Sequence, residues 1–253
     1  MSANLLSSYR TAAVPGVGVK HLAVKDAKVL GIVGPGVINC TAIETFAYQR
    51  PTLDTLKIKG RGQASIDRCI AYVKEKCPQF KNIIVCDTLE ECVRDSDIMS
   101  FATTTTMGLG RASYPFIDES WIKPGCLFCV PGAADFTDEF TCSGKAKLVV
   151  DSMGLYDTWA EEYPYPTYPL LYFPGCLWTD LVHEGKLKRS DIHPIGGILN
   201  GKFPGRESDD QIIIYGIGGM PVEDVAWGKD IYDYAKANGI GTELTLWDKP
   251  ALF

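Results

Sequence analysis

Basic residues never gather into a block in this sequence, and acids outnumber bases 31 to 25. A protein that grips a nucleic-acid backbone needs a basic face, so that class is set aside. No apolar run approaches the roughly 18 residues of a membrane span. The opening MSANLLSSYR lacks a charged segment leading into an apolar one, so no secretory signal is expected and the expected compartment is the cytoplasm. His21, His183 and His193 show neither metal spacing nor a paired acid; they read as structural, and no metal site is expected. Cys126 and Cys129 form a CxxC with no second CxxC to complete it. It reads as a core strand using two small apolar residues, the other reading being a redox or zinc pair. Nine cysteines, an odd number in scattered positions, read as reduced thiols.

What is present is a rhythm. The 253 residues suffice for one large domain, or one domain and part of another. Residues 4–24 read as a helix interrupted at Pro15 and Gly16, because proline breaks a helical pattern. Short apolar strands are then expected at 29–33, 55–59, 82–86, 97–102, 127–130, 147–150 and 211–215. Helices are expected between them at 41–50, 64–76, 88–94 and 137–143. Alternating units of this kind imply an α/β fold, a doubly wound, mostly parallel sheet with helices on both faces. Continuously apolar strands such as VLGIV and NIIVC fit a sheet covered on both sides. The tyrosine- and proline-rich stretch at 161–176 reads as an irregular packed connector rather than a lid. A last helix over 222–238 stops at Gly239, and an alternating strand is expected at 243–247.

The chemistry starts at GIVGPGVINC, residues 31–40. Gly34, Pro35, Gly36, Val37 and Ile38 follow a strand and open a helix. The first glycine permits a tight turn, and the second lets a pyrophosphate approach the helix N-terminus, where free N–H groups and the dipole favour an anion. Asn39 stands where the fingerprint has Gly or Ala, so a plain strand-to-helix turn stays open as the other reading. The second strand ends in LKIKGRGQAS with no acid for a ribose hydroxyl. Gly60 leaves room there, while Lys59, Arg61 and Ser65 offer donors to an extra phosphate. That favours NADP over NAD, the alternative being a solvated basic loop. On this reading an aspartate at position 60 would reverse the preference.

The set SSYRTAA at 7–13, GIVGPGV at 31–37, SFATTTT at 100–106, VVDS at 149–152 and GMPVEDVAWG at 219–228 resembles the ornithine cyclodeaminase/mu-crystallin family in order and spacing. The resemblance implies a Rossmann-like domain, a nicotinamide cofactor, a homodimer, and reactions on small amino acids or their imines. It places Ala102, Thr103, Thr104 and Gly132 with the cofactor residues and gives Arg10 the substrate carboxylate. Bidentate guanidinium recognition suits that task. Three departures accompany it. An amino-terminal substrate domain with the family's lysine is expected to be missing, which leaves either a fragment or half of a two-chain protein whose partner chain supplies the absent lobe. The family's aspartate falls on Ala133, leaving Asp135 as the nearest carboxylate, either as its substitute or as a helix N-cap. A hydroxyl residue of the family falls on Ile217. The expected division is a connecting helix at 1–27, the dinucleotide-binding domain at 28–221, and a return helix and strand at 222–253, remnants of a second domain. The expected function is an NADP-dependent oxidoreductase or cyclodeaminase; the alternative is a nucleotide-binding subunit with little catalysis of its own.

Overall fold

Eight short strands form one wholly parallel sheet in the computed structural model, which describes residues 3–244. The chain runs α1 (Ala3–Leu22), β1 (Val29–Val33), α2 (Val37–Gln49), β2 (Thr55–Lys59), α3 (Gln63–Lys76), β3 (Asn82–Val85), α4 (Leu89–Val93), β4 (Ile98–Phe101) and β5 (Leu127–Val130). It continues through α5 (Asp138–Cys142), β6 (Ala146–Val150), α6 (Met153–Glu162), α7 (Tyr168–Leu171), α8 (Pro174–His183), β7 (Ile192–Pro194), α9 (Ile195–Leu199), β8 (Ile212–Gly216) and α10 (Pro221–Ala237). The strand order is β3-β2-β1-β4-β5-β8-β6-β7. The order reverses between β1 and β4, and ligands of doubly wound sheets bind outside the carboxyl ends of the strands at such a switch point.

Successive strand residues serve opposite faces, so each face owns a separate core. Leu127 and Cys129 join Leu30, Ile32, Phe46 and Tyr215 under α1, α2 and α3. Cys126 and Phe128 join Phe101, Tyr156, Tyr168 and Trp178 on the other side. The two CxxC sulfurs therefore lie on opposite faces of one sheet and cannot pair. All nine cysteines are free.

Most expected elements stand within two residues of their expected bounds. The helix at the start differs: α1 passes through Pro15 without a break. Gly16 and Gly18 explain why the helix is held there. A Cβ on Gly16 would come within 2.3 Å of Thr45 Cγ2, and one on Gly18 within 2.5 Å of the Tyr215 ring. The close seat of α1 on α2 and β8 outweighs the hydrogen bond that the proline deletes. Strand β7 and helices α6, α7, α8 and α9 are additional to those expected. The 161–176 stretch holds the end of α6, all of α7 and the start of α8, with Tyr168, Leu171 and Cys176 buried. Of the strand expected at 243–247, residues 245–247 lie outside the described residues. No described helix is long and apolar enough to cross a membrane.

Candidate functional site

The loop after β1 is built for close approach. Gly34 has φ +88°, and a Cβ there would lie 2.5 Å from the carbonyl oxygen of Ala102. Only glycine fits both constraints. Gly36 is the N-cap of α2, no side chain caps that end, and its first turn holds no acid. A Cβ on Gly36 would meet nothing within 4 Å. The Gly36 N–H is taken by the Gly34 carbonyl at 2.8 Å, while the first turn of α2 has no side-chain cap and the space beside Gly36 is open, as a phosphate cradle requires. Val37 is exposed beside this opening and Ile38 is half-buried, while Pro35 is buried beneath it.

Asn39 accounts for its own departure from the fingerprint. It is fully buried; its amide donates to the carbonyls of Val33, at 3.0 Å, and Gly34, at 2.8 Å. Its oxygen accepts from the Ser100 hydroxyl at 2.7 Å. One side chain therefore fixes the cradle turn and fastens it to β4. Sequence reasoning missed this, because Ser100 lies 61 residues away and carries no local signal.

The neighbouring loops close the same edge. The N–H of Ala102 donates to Val33 at 3.0 Å, bringing Ala102, Thr103 and Thr104 alongside the cradle. A Cβ on buried Gly132 would stand 3.0 Å from the Phe101 carbonyl and 3.5 Å from Thr103 N, so the loop after β5 passes directly over the end of β4.

At the end of β2 the N–H of Gly34 bonds the Lys59 carbonyl at 2.9 Å, which joins the two loops. Lys59 Nζ is drawn away to the carbonyl of Asp87 at 2.6 Å. Ser65 Oγ turns back to the carbonyl of Gly62 at 2.7 Å. Arg61 is exposed and forms no ion pair among the described residues. It stands just before α3, whose N-cap Gly62 provides no side-chain cap and whose first turn holds no acid. Gly60 does more than leave room: a Cβ there would lie 2.8 Å from Pro35 Cγ and Cδ. An aspartate at 60 would therefore also press its added carbon against Pro35 in the cradle.

Arg10 sits on α1 at the carboxyl edge of the sheet. Its NH2 meets Asp224 Oδ2 at 2.8 Å and its NH1 approaches Glu223 Oε2 at 3.8 Å. Both acids belong to the first turn of α10. The loop before α10 is held by buried Asp151, whose Oδ2 accepts from Gly218 N at 2.9 Å and Gly219 N at 2.7 Å. The VVDS and GMPVEDVAWG segments thus meet at one point beside Arg10, contacts that no spacing in the chain announces.

Asp135 occupies a different place. Arg111 Nε donates to both its oxygens, at 2.8 and 2.9 Å, and the Tyr168 hydroxyl contacts it at 3.2 Å. Burial raises its carboxyl pKa, against the lowering by the Arg111 guanidinium. Asp135 is not a helix N-cap: Thr137 caps α5, accepting from Phe140 N. Among the described residues Asp135 and Arg10 share no partner. Ala133 is wholly buried, and Ile217 is buried with its N–H on Val130. Among the described residues no group of three or more His, Cys, Asp and Glu is placed to hold a metal ion.

The model of the ornithine cyclodeaminase/mu-crystallin family matches residues 1–239. An N-((2S)-2-amino-2-carboxyethyl)-L-glutamate dehydrogenase of Staphylococcus aureus is 27% identical over 248 residues, 98% of this chain and 67% of that protein. Among solved structures, Thermococcus litoralis Delta(1)-pyrroline-2-carboxylate reductase, in complex with NADH and L-proline, superposes with a TM-score of 0.75 at 23% identity, covering 96% of this chain and 69% of the other. An archaeal alanine dehydrogenase dimer with bound NAD gives a TM-score of 0.74 at 22% identity, covering 98% and 69%. The chain spans about two thirds of the length of these relatives.

Proposed function

This chain belongs to the ornithine cyclodeaminase/mu-crystallin family, and on that premise we propose that it binds a nicotinamide dinucleotide at the β1/β4 switch point and acts on a small α-amino acid or its imine. The observation that carries the reading is the cradle: Gly34 against Ala102, open space over Gly36, and an uncapped α2 behind it. Gly34, Pro35, Gly36, Val37 and Ile38 would hold the pyrophosphate. Ala102, Thr103, Thr104 and Gly132 would line the nicotinamide side. Arg61 and the uncapped start of α3 would take a 2′-phosphate, which favours NADP. The cofactor supplies hydride chemistry at a carbon–nitrogen bond; the protein supplies position and charge. Arg10 would orient the substrate carboxylate, in competition with Asp224 and Glu223.

A second reading is supported by Ala133 and by the Arg111–Asp135 pair: a nucleotide-binding subunit with little turnover. Helix α10 supports a partner for either reading. It has no buried residue, and Val222, Val225, Tyr232 and Tyr234 lie exposed along it. Such a face suits a second lobe, carried by another copy or by a partner chain. A cytoplasmic homodimer, divided near residues 27 and 221, is part of the same proposal.

The test is the absorbance of the reduced nicotinamide, followed with cyclic and linear imino acids. Oxidation that depends on both imino acid and protein supports the enzyme. Cofactor binding with no turnover on any imino acid supports the subunit. No cofactor binding contradicts both.

A further inference from the structure

Three buried polar atoms at the carboxyl edge of the sheet have no hydrogen-bond partner among the described residues: Arg10 Nε, the Tyr215 hydroxyl and Glu223 Oε2. They belong to one neighbourhood. Glu223 Oε2 lies 3.8 Å from Arg10 NH1, and Tyr215 stands near the end of β8, on the stretch leading to Gly219, where a Cβ would come within 3.0 Å of Arg10 NH1. A buried polar group left unpaired costs free energy, so a cluster of them marks a place where something is meant to bind. Tyr215 is wholly buried, so solvent does not satisfy it.

The donor and acceptor pattern is specific. Arg10 offers N–H, Tyr215 offers O–H, and Glu223 offers an acceptor or, when protonated, a proton. A head group with a carboxylate beside a nitrogen complements all three: the carboxylate accepts from Arg10 and Tyr215, and the nitrogen faces Glu223. The two other carboxyl positions are closed to this task. Ala133 has no polar atom, and both oxygens of Asp135 are held by Arg111.

We infer that Glu223 is the carboxyl group that meets the substrate nitrogen in this site. The inference rests on the reading given under Proposed function and assigns a residue within it. Asp224, Asp151 and Arg10 are the charged groups facing Glu223; burial together with Asp151 and Asp224 raises its carboxyl, while Arg10 lowers it. In its protonated form this carboxyl has a proton to transfer. In reduction of an imino acid, a bound reduced nicotinamide would supply the hydride to the carbon of the C=N bond. The nitrogen gains the Glu223 proton: the O–H bond breaks and an N–H bond forms. The carboxylate left behind stands beside Arg10, and solvent returns its proton. In the reverse direction Glu223 accepts that proton.

The experiment compares two ligands by calorimetry on the full chain loaded with oxidised cofactor. L-proline has a carboxylate and a nitrogen; cyclopentanecarboxylate has the same ring and carboxylate without the nitrogen. E223Q should weaken L-proline by about tenfold or more, the effect of losing a charge-assisted bond, and leave cyclopentanecarboxylate within about twofold. R10Q should weaken both. Equal losses for both ligands in E223Q, or no loss for L-proline, overturn the assignment while the proposed function stands. Failure of the unmutated, cofactor-loaded chain to bind either ligand overturns the substrate reading itself, and the assignment with it. Carbon NMR of the Glu223 carboxyl in the unmutated chain guards against a folding defect in the variant. Its resonance should shift with L-proline and stay with cyclopentanecarboxylate; no shift with L-proline also overturns the assignment.

Discussion

At the scale of single residues, the site depends on small differences in what a side chain can reach. Among the described residues Arg61 has no ion-pair partner while Lys59 is held by the Asp87 carbonyl, so of these two side chains the proposal gives Arg61 the cofactor's extra phosphate. Arg61→Ala should weaken NADPH binding by about 1.5–3 kcal/mol, or roughly 10- to 150-fold. NADH affinity should barely change. Fluorescence titration of both cofactors checks this, and equal losses would mean that Arg61 supports the loop instead. Gly60→Asp should weaken both cofactors, because the new Cβ displaces Pro35 under the cradle. The same titration measures it; a clean exchange of NADPH for NADH preference would contradict the packing argument. Gly34 and Gly36 were legible in the sequence because turn chemistry is local. The contacts of Asn39 with Ser100 and of Glu223 with Arg10 were not, because those partners are distant in the chain and brought near only by the fold.

At the scale of elements, every strand but β7 was legible to within two residues because apolar runs between turn signals are a short-range pattern. Helix α1 was misread as broken, since its continuity comes from tertiary packing over Gly16 and Gly18. Its carboxyl end shows another long-range device. Arg206 Nε donates to Leu22 at 2.7 Å, and its NH2 donates to Gly125 at 2.8 Å. Arg50 NH2 donates to Lys20 and Ala23, both at 3.0 Å. These guanidinium groups satisfy carbonyls that the last helical turn leaves open. Arg206→Ala should destabilise the fold by about 2–3 kcal/mol, the size of lost hydrogen bonds to a charged donor. Urea unfolding measures this; a change below about 0.5 kcal/mol, the range of neutral surface substitutions, would contradict it.

At the scale of the whole molecule, pH and cofactor binding give the broadest readouts. The half-buried ring of His193 packs on Phe203, and burial, followed by the charge of Lys147, lowers its pKa; Asp191 and Glu207 oppose this. Its folded-state pKa thus lies below the unfolded value of about 6.5. The unfolded chain takes up the proton first, so this contribution to stability is present at neutral pH and declines as pH falls below about 6.5. His193→Gln should flatten the dependence of melting temperature on pH in that window, and an unaltered slope would contradict it. The central claim is that the switch-point crevice holds a dinucleotide on the bare N-terminus of α2. The most direct measurement is titration of NADPH fluorescence with the unmutated chain and with Gly36→Val. The added side chain extends into the open space over the cradle while the fold around it is untouched. Saturable binding by the unmutated chain, weakened about a hundredfold or more in the variant (about 2.7 kcal/mol), is the predicted result. Undiminished binding by Gly36→Val would place the dinucleotide elsewhere and contradict the account.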